Sequence, residues 1–103
     1  MAFIIIYVTH PSEEHANKIS SHLIEKKMVA CANIFSMKSG YWWQGNIENE
    51  DEYISILKTI RENFDKVKKE IEKIHDYDVP CIMKMDVEAN DAYENWIRES
   101  VDS

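Results

Sequence analysis

The stretch Val29–Ile60, VACANIFSMKSGYWWQGNIENEDEYISILKTI, decides the fold, because it joins two extended segments with no helical periodicity between them. Over Val29–Phe35 alternation puts Ala30, Ala32 and Ile34 on one face of a strand and Cys31, Asn33 and Phe35 on the other. Glu52–Ile60 alternates in the same way, with Ile54, Ile56 and Ile60 opposite Tyr53 and Leu57. Between them, Tyr41–Ile47 is aromatic and extended, and Glu48–Asp51 reads as an acidic turn. The two strands make a hairpin that is long for a chain of 103 residues. Its tip carries Tyr41, Trp42 and Trp43, and an exposed aromatic ribbon calls for a partner.

Outward from the hairpin, Phe3–Val8 is an unbroken apolar run, the pattern of a strand covered on both faces. Thr9-His10-Pro11-Ser12 ends it. Ser12 is placed to cap a helix, and Glu13 and Glu14 favour the positive end of its dipole. Ala16, Ile19, Leu23 and Ile24 follow at helical spacing, and the helix closes near Lys26 and Lys27. Beyond the hairpin, Phe64, Val67, Ile71 and Ile74 mark a second amphipathic helix. Asp76–Pro80 is a turn, Val79–Val87 a fourth strand, and Asn90 or Asp91 caps a last helix carrying Tyr93, Trp96 and Ile97. The order β-α-β-β-α-β with a C-terminal helix predicts an α+β, ferredoxin-like sandwich. Two helices then cover one face of a four-stranded antiparallel sheet, in one domain over residues 1–103.

A formal net charge of −7 disfavours phosphate backbones and anionic membrane surfaces, so neither nucleic acid nor membrane is an expected partner. The N-terminus lacks the basic start and long apolar run of a signal peptide, and Cys31 and Cys81 show no paired CxxC spacing. Both features suit a cytoplasmic protein with free thiols. No P-loop, HExxH or ordered Ser-His-Asp signature occurs, and His10-Pro11-Ser12 offers no arginine cradle for phosphate. No enzyme activity and no organic cofactor are expected. MxCxxC, the paired-thiolate motif of small copper chaperones, is also missing.

Several collinear blocks resemble the CutA divalent-cation tolerance family. They are Tyr7-Val8-Thr9 with the Pro-Ser-Glu-Glu helix start, Ala30-Cys31-Ala32-Asn33-Ile34, and Tyr41-Trp42-Trp43-Gln44-Gly45. Lys58-Thr59, His75-x-Tyr77-x-x-Pro80, and Tyr93 with Trp96 complete the set. The resemblance spans nearly the whole chain. It implies a homotrimer whose hairpins clasp neighbouring subunits, with clefts between subunits, an architecture akin to PII-type signalling trimers, and a link to divalent metals including copper. The chain departs from the family pattern at Asp76 and Cys81, where Pro and Glu are frequent, and at Val8, where some bacterial members carry cysteine.

The candidate metal ligands are Cys31, a soft donor suited to copper, and His75. Against these roles, a lone strand cysteine also packs as a small hydrophobe, and a histidine closing a helix complements its dipole. Lys58 shares a face with Ile54, Ile56 and Ile60 and so needs a partner or an open cleft. With Trp43 and Tyr77 it forms the candidate ligand-binding set for a small anionic molecule between subunits; the alternative is a structural ion pair. His10, His15 and His22 read as solvated; the alternative is weak metal binding by His15 and His22, seven residues apart on one helix face. A trimeric scaffold for a protein partner, without a specific metal site, is the competing function.

Overall fold

The computed structural model describes residues 3–102. Its elements are β1 (Phe3–His10), α1 (Glu13–Glu25), β2 (Cys31–Trp43), β3 (Asn46–Thr59), α2 (Phe64–Ile74), β4 (Ile82–Val87) and α3 (Asp91–Ser100). A single 3-10 turn over Arg61–Asn63 leads into α2. The sheet runs β2-β3-β1-β4, every neighbour antiparallel, which is the ferredoxin-like arrangement that the element order predicts. Met1 and Ala2, which entered the reading of the N-terminus, lie outside the described residues.

Strand β1 is the centre of the sheet, bonded to β3 along one edge and β4 along the other. Alternation sends Ile4, Ile6 and Val8 to one face, where they meet Leu57 of β3 and the apolar stripes of α1 (Ile19, Leu23) and α2 (Val67, Ile71). Helix α1 starts where Ser12 places it: the Ser12 Oγ accepts the His15 backbone N–H at 3.1 Å. At the far end of the sheet the Asn63 amide donates to the carbonyls of Met28 (3.2 Å) and Asp102 (2.8 Å), tying the C-terminal segment to the start of α2.

Two boundaries differ from the sequence expectation. The hairpin turn is Gln44-Gly45, not Glu48–Asp51: both turn residues have positive φ (50° and 82°), the geometry of a two-residue loop that continues the strand twist. The acidic run is strand, paired opposite Lys38–Tyr41, with Lys38 Nζ 3.2 Å from Asp51 and the Tyr41 hydroxyl donating to Glu50. Polar side chains on a solvated ribbon can alternate as strand, so polarity alone misplaces the turn. The last strand begins at Ile82 rather than Val79, because Pro80 brings no N–H to a ladder.

β1 pairs with β3 only from Tyr53 to Thr59. Met37–Trp43 and Asn46–Glu52 therefore run on as a bare two-stranded ribbon, seven residues of each strand and about 23 Å long, giving overall extents of 45 × 24 × 21 Å. The sheet face away from α1 and α2 is covered only in part. α3 lies over one end of it, Tyr93 meeting the Phe3 ring edge-on at 6.0 Å between centroids, while Phe35, Met83 and Met85 stay exposed.

Leu57 is fully buried at the meeting of strand and helices. Leu57→Ala is expected to cost about 3 kcal/mol, read as a lowered urea midpoint at fixed protein concentration.

Candidate functional site: an imidazole cluster beside an acidic aromatic cleft

In this topology the end of β1, the start of α1 and the end of α2 meet at one end of the sheet. Each brings a histidine. His10 follows Ile4, Ile6 and Val8 in phase, so alternation carries its ring into the interior, where it is fully buried. His15 lies in the first turn of α1, and His75 is the C-cap of α2. One ring nitrogen from each lies within 4.8 Å of those of the other two. His10 and His15 meet Nδ1 to Nδ1 at 2.9 Å, and the His10 and His75 rings stack at 5.5 Å between centroids.

The outer ring nitrogens face oxygen atoms. His10 Nε2 is 2.7 Å from the Ser55 Oγ. His75 Nε2 is 2.8 Å from the Thr9 carbonyl, which can only accept, so that nitrogen carries a proton. His75 Nδ1 is then a lone pair, and it takes the Tyr77 backbone N–H at 3.0 Å. His15 Nε2 is buried without a hydrogen-bond partner, 3.6 Å from the Asp76 carboxylate. Burial, reinforced by His15 and then His75, lowers the His10 pKa to about 3. The His15 pKa is lowered chiefly by burial and next by His75, with Asp76 opposing. Burial therefore favours the neutral form of His10 and His15, the form that ligates metals.

Beside the cluster, Trp43, Tyr41, Thr9, Glu52, Tyr77 and Cys81 are among the residues lining a cleft of about 490 Å³ that runs from the root of the ribbon toward its tip. The Tyr77 hydroxyl donates to Glu52 Oε2 at 2.7 Å, and burial first, then that carboxylate, raises the phenol pKa. Cys81 is raised by burial and then by Glu52, which keeps it a thiol rather than a nucleophilic thiolate. Glu48, Asp76 and Asp78 complete a wall that is acidic as well as aromatic.

Trp43 and Tyr77 thus line one cleft, and within the subunit Lys58 is not with them. It sits on the same face four register steps from Thr9, opposite Ile5 and Cys31, and its ammonium donates to the Tyr93 hydroxyl at 3.1 Å. That bond raises its pKa and supplies the partner that its position demands. Cys31 Sγ lies 3.8 Å from the same hydroxyl. Within the subunit Cys31 and His75 are not brought together: Cys31 is on the Lys58 face, about five residues along the sheet from His10, which is on the helix face. His10 and His15, read from sequence as solvated, are the groups that His75 joins. The phase of His10 with the buried isoleucines was the signal for it. His22, seven residues from His15, pairs instead with Glu70 at 2.5 Å.

Residues 4–100 match the family described as CutA1 divalent ion tolerance protein. The divalent-cation tolerance protein CutA of Thermotoga maritima is 42% identical over 99 residues, covering 95% of this chain and 98% of that one. CutA1 of Pyrococcus horikoshii superposes with a TM-score of 0.94 at 39% identity, over 97% of this chain and 99% of that one. The Archaeoglobus fulgidus structure, titled a periplasmic divalent cation tolerance protein CutA, gives 0.93 at 42% identity, over 99% and 100% of the two chains.

Because His10 folds with a pKa of about 3 against an ordinary 6.5, the unfolded chain binds the extra proton between those values, and stability falls as pH falls through that window. With a chelator present, urea unfolding of wild type should lose more stability from pH 6.5 to pH 5 than His10→Gln does, by up to about 2 kcal/mol. Equal losses would show that His10 contributes nothing to the slope.

Proposed function

Because the chain belongs to the CutA divalent-cation tolerance family, we propose that it works as a homotrimer that binds divalent metal ions, copper among them, and a small ligand in clefts completed between subunits. It acts in the cytoplasm, where free Cys31 and Cys81 stay reduced, as a binding and PII-like signalling protein rather than an enzyme. The observation that supports this most is the unpartnered ribbon. A two-stranded hairpin alone is marginally stable in water, yet this one exposes Trp42 at 71% and Ile47 at 61% of their surfaces, beside a sheet face that exposes Phe35, Met83 and Met85. Burial of both surfaces on sister subunits satisfies them together.

The ligand cleft of Trp43 and Tyr77 runs along the ribbon from its root toward its tip, where a neighbouring chain would close it. Its carboxylates and aromatic faces favour a cationic or metal-bearing ligand. Lys58, held by Tyr93, acts on the opposite part of the same sheet face, and its ammonium opposes a cation at Cys31. A binding role also fits Ser55 and His10, whose close contact is fully buried and closed to a substrate.

Light scattering at micromolar concentration should give three times the 12.2 kDa chain mass, and Phe35→Glu with Met85→Glu should shift it to smaller species. A stable 12.2 kDa protomer in the unmutated protein would overturn the assembly.

A further inference from the structure

We propose that His10, His15 and His75 form a three-imidazole site for one borderline divalent transition-metal ion, of the Zn²⁺ or Co²⁺ kind, in each subunit. The site deepens the cation-binding reading above and rests on it, but it is built within one chain and does not need the trimer. The three rings coordinate through Nδ1, and the geometry already sorts the nitrogens that way. Each Nε2 faces an oxygen: Ser55 Oγ at 2.7 Å, the Thr9 carbonyl at 2.8 Å and Asp76 Oδ2 at 3.6 Å. A metal-bound histidine characteristically gives its other N–H to such a hydroxyl, carbonyl or carboxylate, which fixes tautomer and ring direction. Here the acceptors of His10 and His75 are in place, and the Asp76 carboxylate stands 3.6 Å from His15 Nε2, a small side-chain movement from accepting its N–H.

The inner nitrogens are close enough to need only small movement. Ligands on one tetrahedral zinc stand about 3.4 Å apart, given Zn–N bonds of about 2.0–2.1 Å. His10 and His15 Nδ1 lie 2.9 Å apart, and one ring nitrogen from each of the three histidines lies within 4.8 Å of those of the other two. Binding requires the proton now shared between the two Nδ1 atoms to reside on an outer nitrogen, a tautomer change with no net loss or gain of protons. His75 must also release the Tyr77 N–H, one hydrogen bond of about 1 kcal/mol against a coordinate bond. All-nitrogen donors select borderline ions over calcium or magnesium, which take oxygen. An ion reaches the cluster from the cleft of about 430 Å³ that His15, Ser12 and Asp76 help to line, and Asp76 sets a negative charge at the mouth.

Titration of the purified full chain with Co²⁺ tests the site, with circular dichroism and light scattering to confirm that each variant folds as wild type does. The expected result is one Co²⁺ per chain with the intense visible bands of tetrahedral coordination, displaced by Zn²⁺. His15→Gln and His75→Gln, neither at a fully buried position, should each weaken binding by at least about tenfold, while Cys31→Ser leaves it unchanged. Binding that survives both histidine variants but disappears in Cys31→Ser would overturn this site and leave the cation-binding reading standing. Wild-type chain that takes up neither Co²⁺ nor Zn²⁺ would overturn this site, and one that also takes up no Cu²⁺ would overturn the cation-binding reading with it.

Discussion

Strand β1 accepts and donates hydrogen bonds along both edges, so its residues have no freedom in which face they serve. Its alternation places Ile4, Ile6 and Val8 under the helices, and the same two-residue period, carried one step past the apolar run, buries His10. An imidazole in that place is tolerable only neutral and only with its nitrogens engaged. Ser55, on the neighbouring strand, and His15, from the first turn of α1, engage them. The polar cluster is thus a consequence of the central strand's register rather than an addition to a finished core. Its position is fixed as firmly as the isoleucines are.

The second constraint is the hairpin's length. A two-residue turn with both residues in the left-handed region keeps β2 and β3 in tight register to the tip, so every residue from Met37 to Glu52 outside the turn is committed to ribbon. Within one subunit only the segment around Tyr77 reaches its root, leaving Trp42 and Ile47 largely exposed, and about 25 cal/mol for each Å² of apolar surface left in water is a standing incentive for association. Acidic side chains at Glu48, Glu50 and Asp51 keep the edge soluble and discourage indiscriminate strand addition. The combination of charged edge and apolar tip favours a specific partner over an aggregate.

Much of this was legible in the sequence, and the exceptions have physical causes. Ser12 as N-cap, the faces of β2 and β3, and the need of Lys58 for a partner all follow from local rules that tertiary structure did not override. The turn escaped because Gln44 is an uncommon residue at positive φ, whereas Glu48–Asp51 has the polarity of a loop; cross-strand pairing with Lys38 and Tyr41 decided the matter. The histidine trio escaped for a different reason. His10, His15 and His75 are joined by topology, across 65 residues of chain, and no spacing rule connects them. Only the phase of His10 with Val8 carried local information. Trp43 and Tyr77 could be paired because a family resemblance supplied the tertiary relation that periodicity cannot. Alternation marked Lys58 as a cation that needs a partner or a cleft, and within one subunit the register of β3 places it apart from both, bonded to Tyr93.

The imidazole cluster and the aromatic cleft share one residue pair, and this joins what would otherwise be separate sites. Tyr77 gives its backbone N–H to His75 Nδ1 and its hydroxyl to Glu52 at the ribbon's root. Whatever occupies the His75 lone pair must displace the Tyr77 N–H, and the displaced residue holds the only tyrosine hydroxyl that Glu52 accepts among the described hydrogen bonds. Glu52 is almost fully buried, so it cannot simply exchange that donor for bulk water. The short segment Asp76–Tyr77 is thus bonded to the histidines through its backbone and to the ribbon through its hydroxyl, and both bonds hold at once.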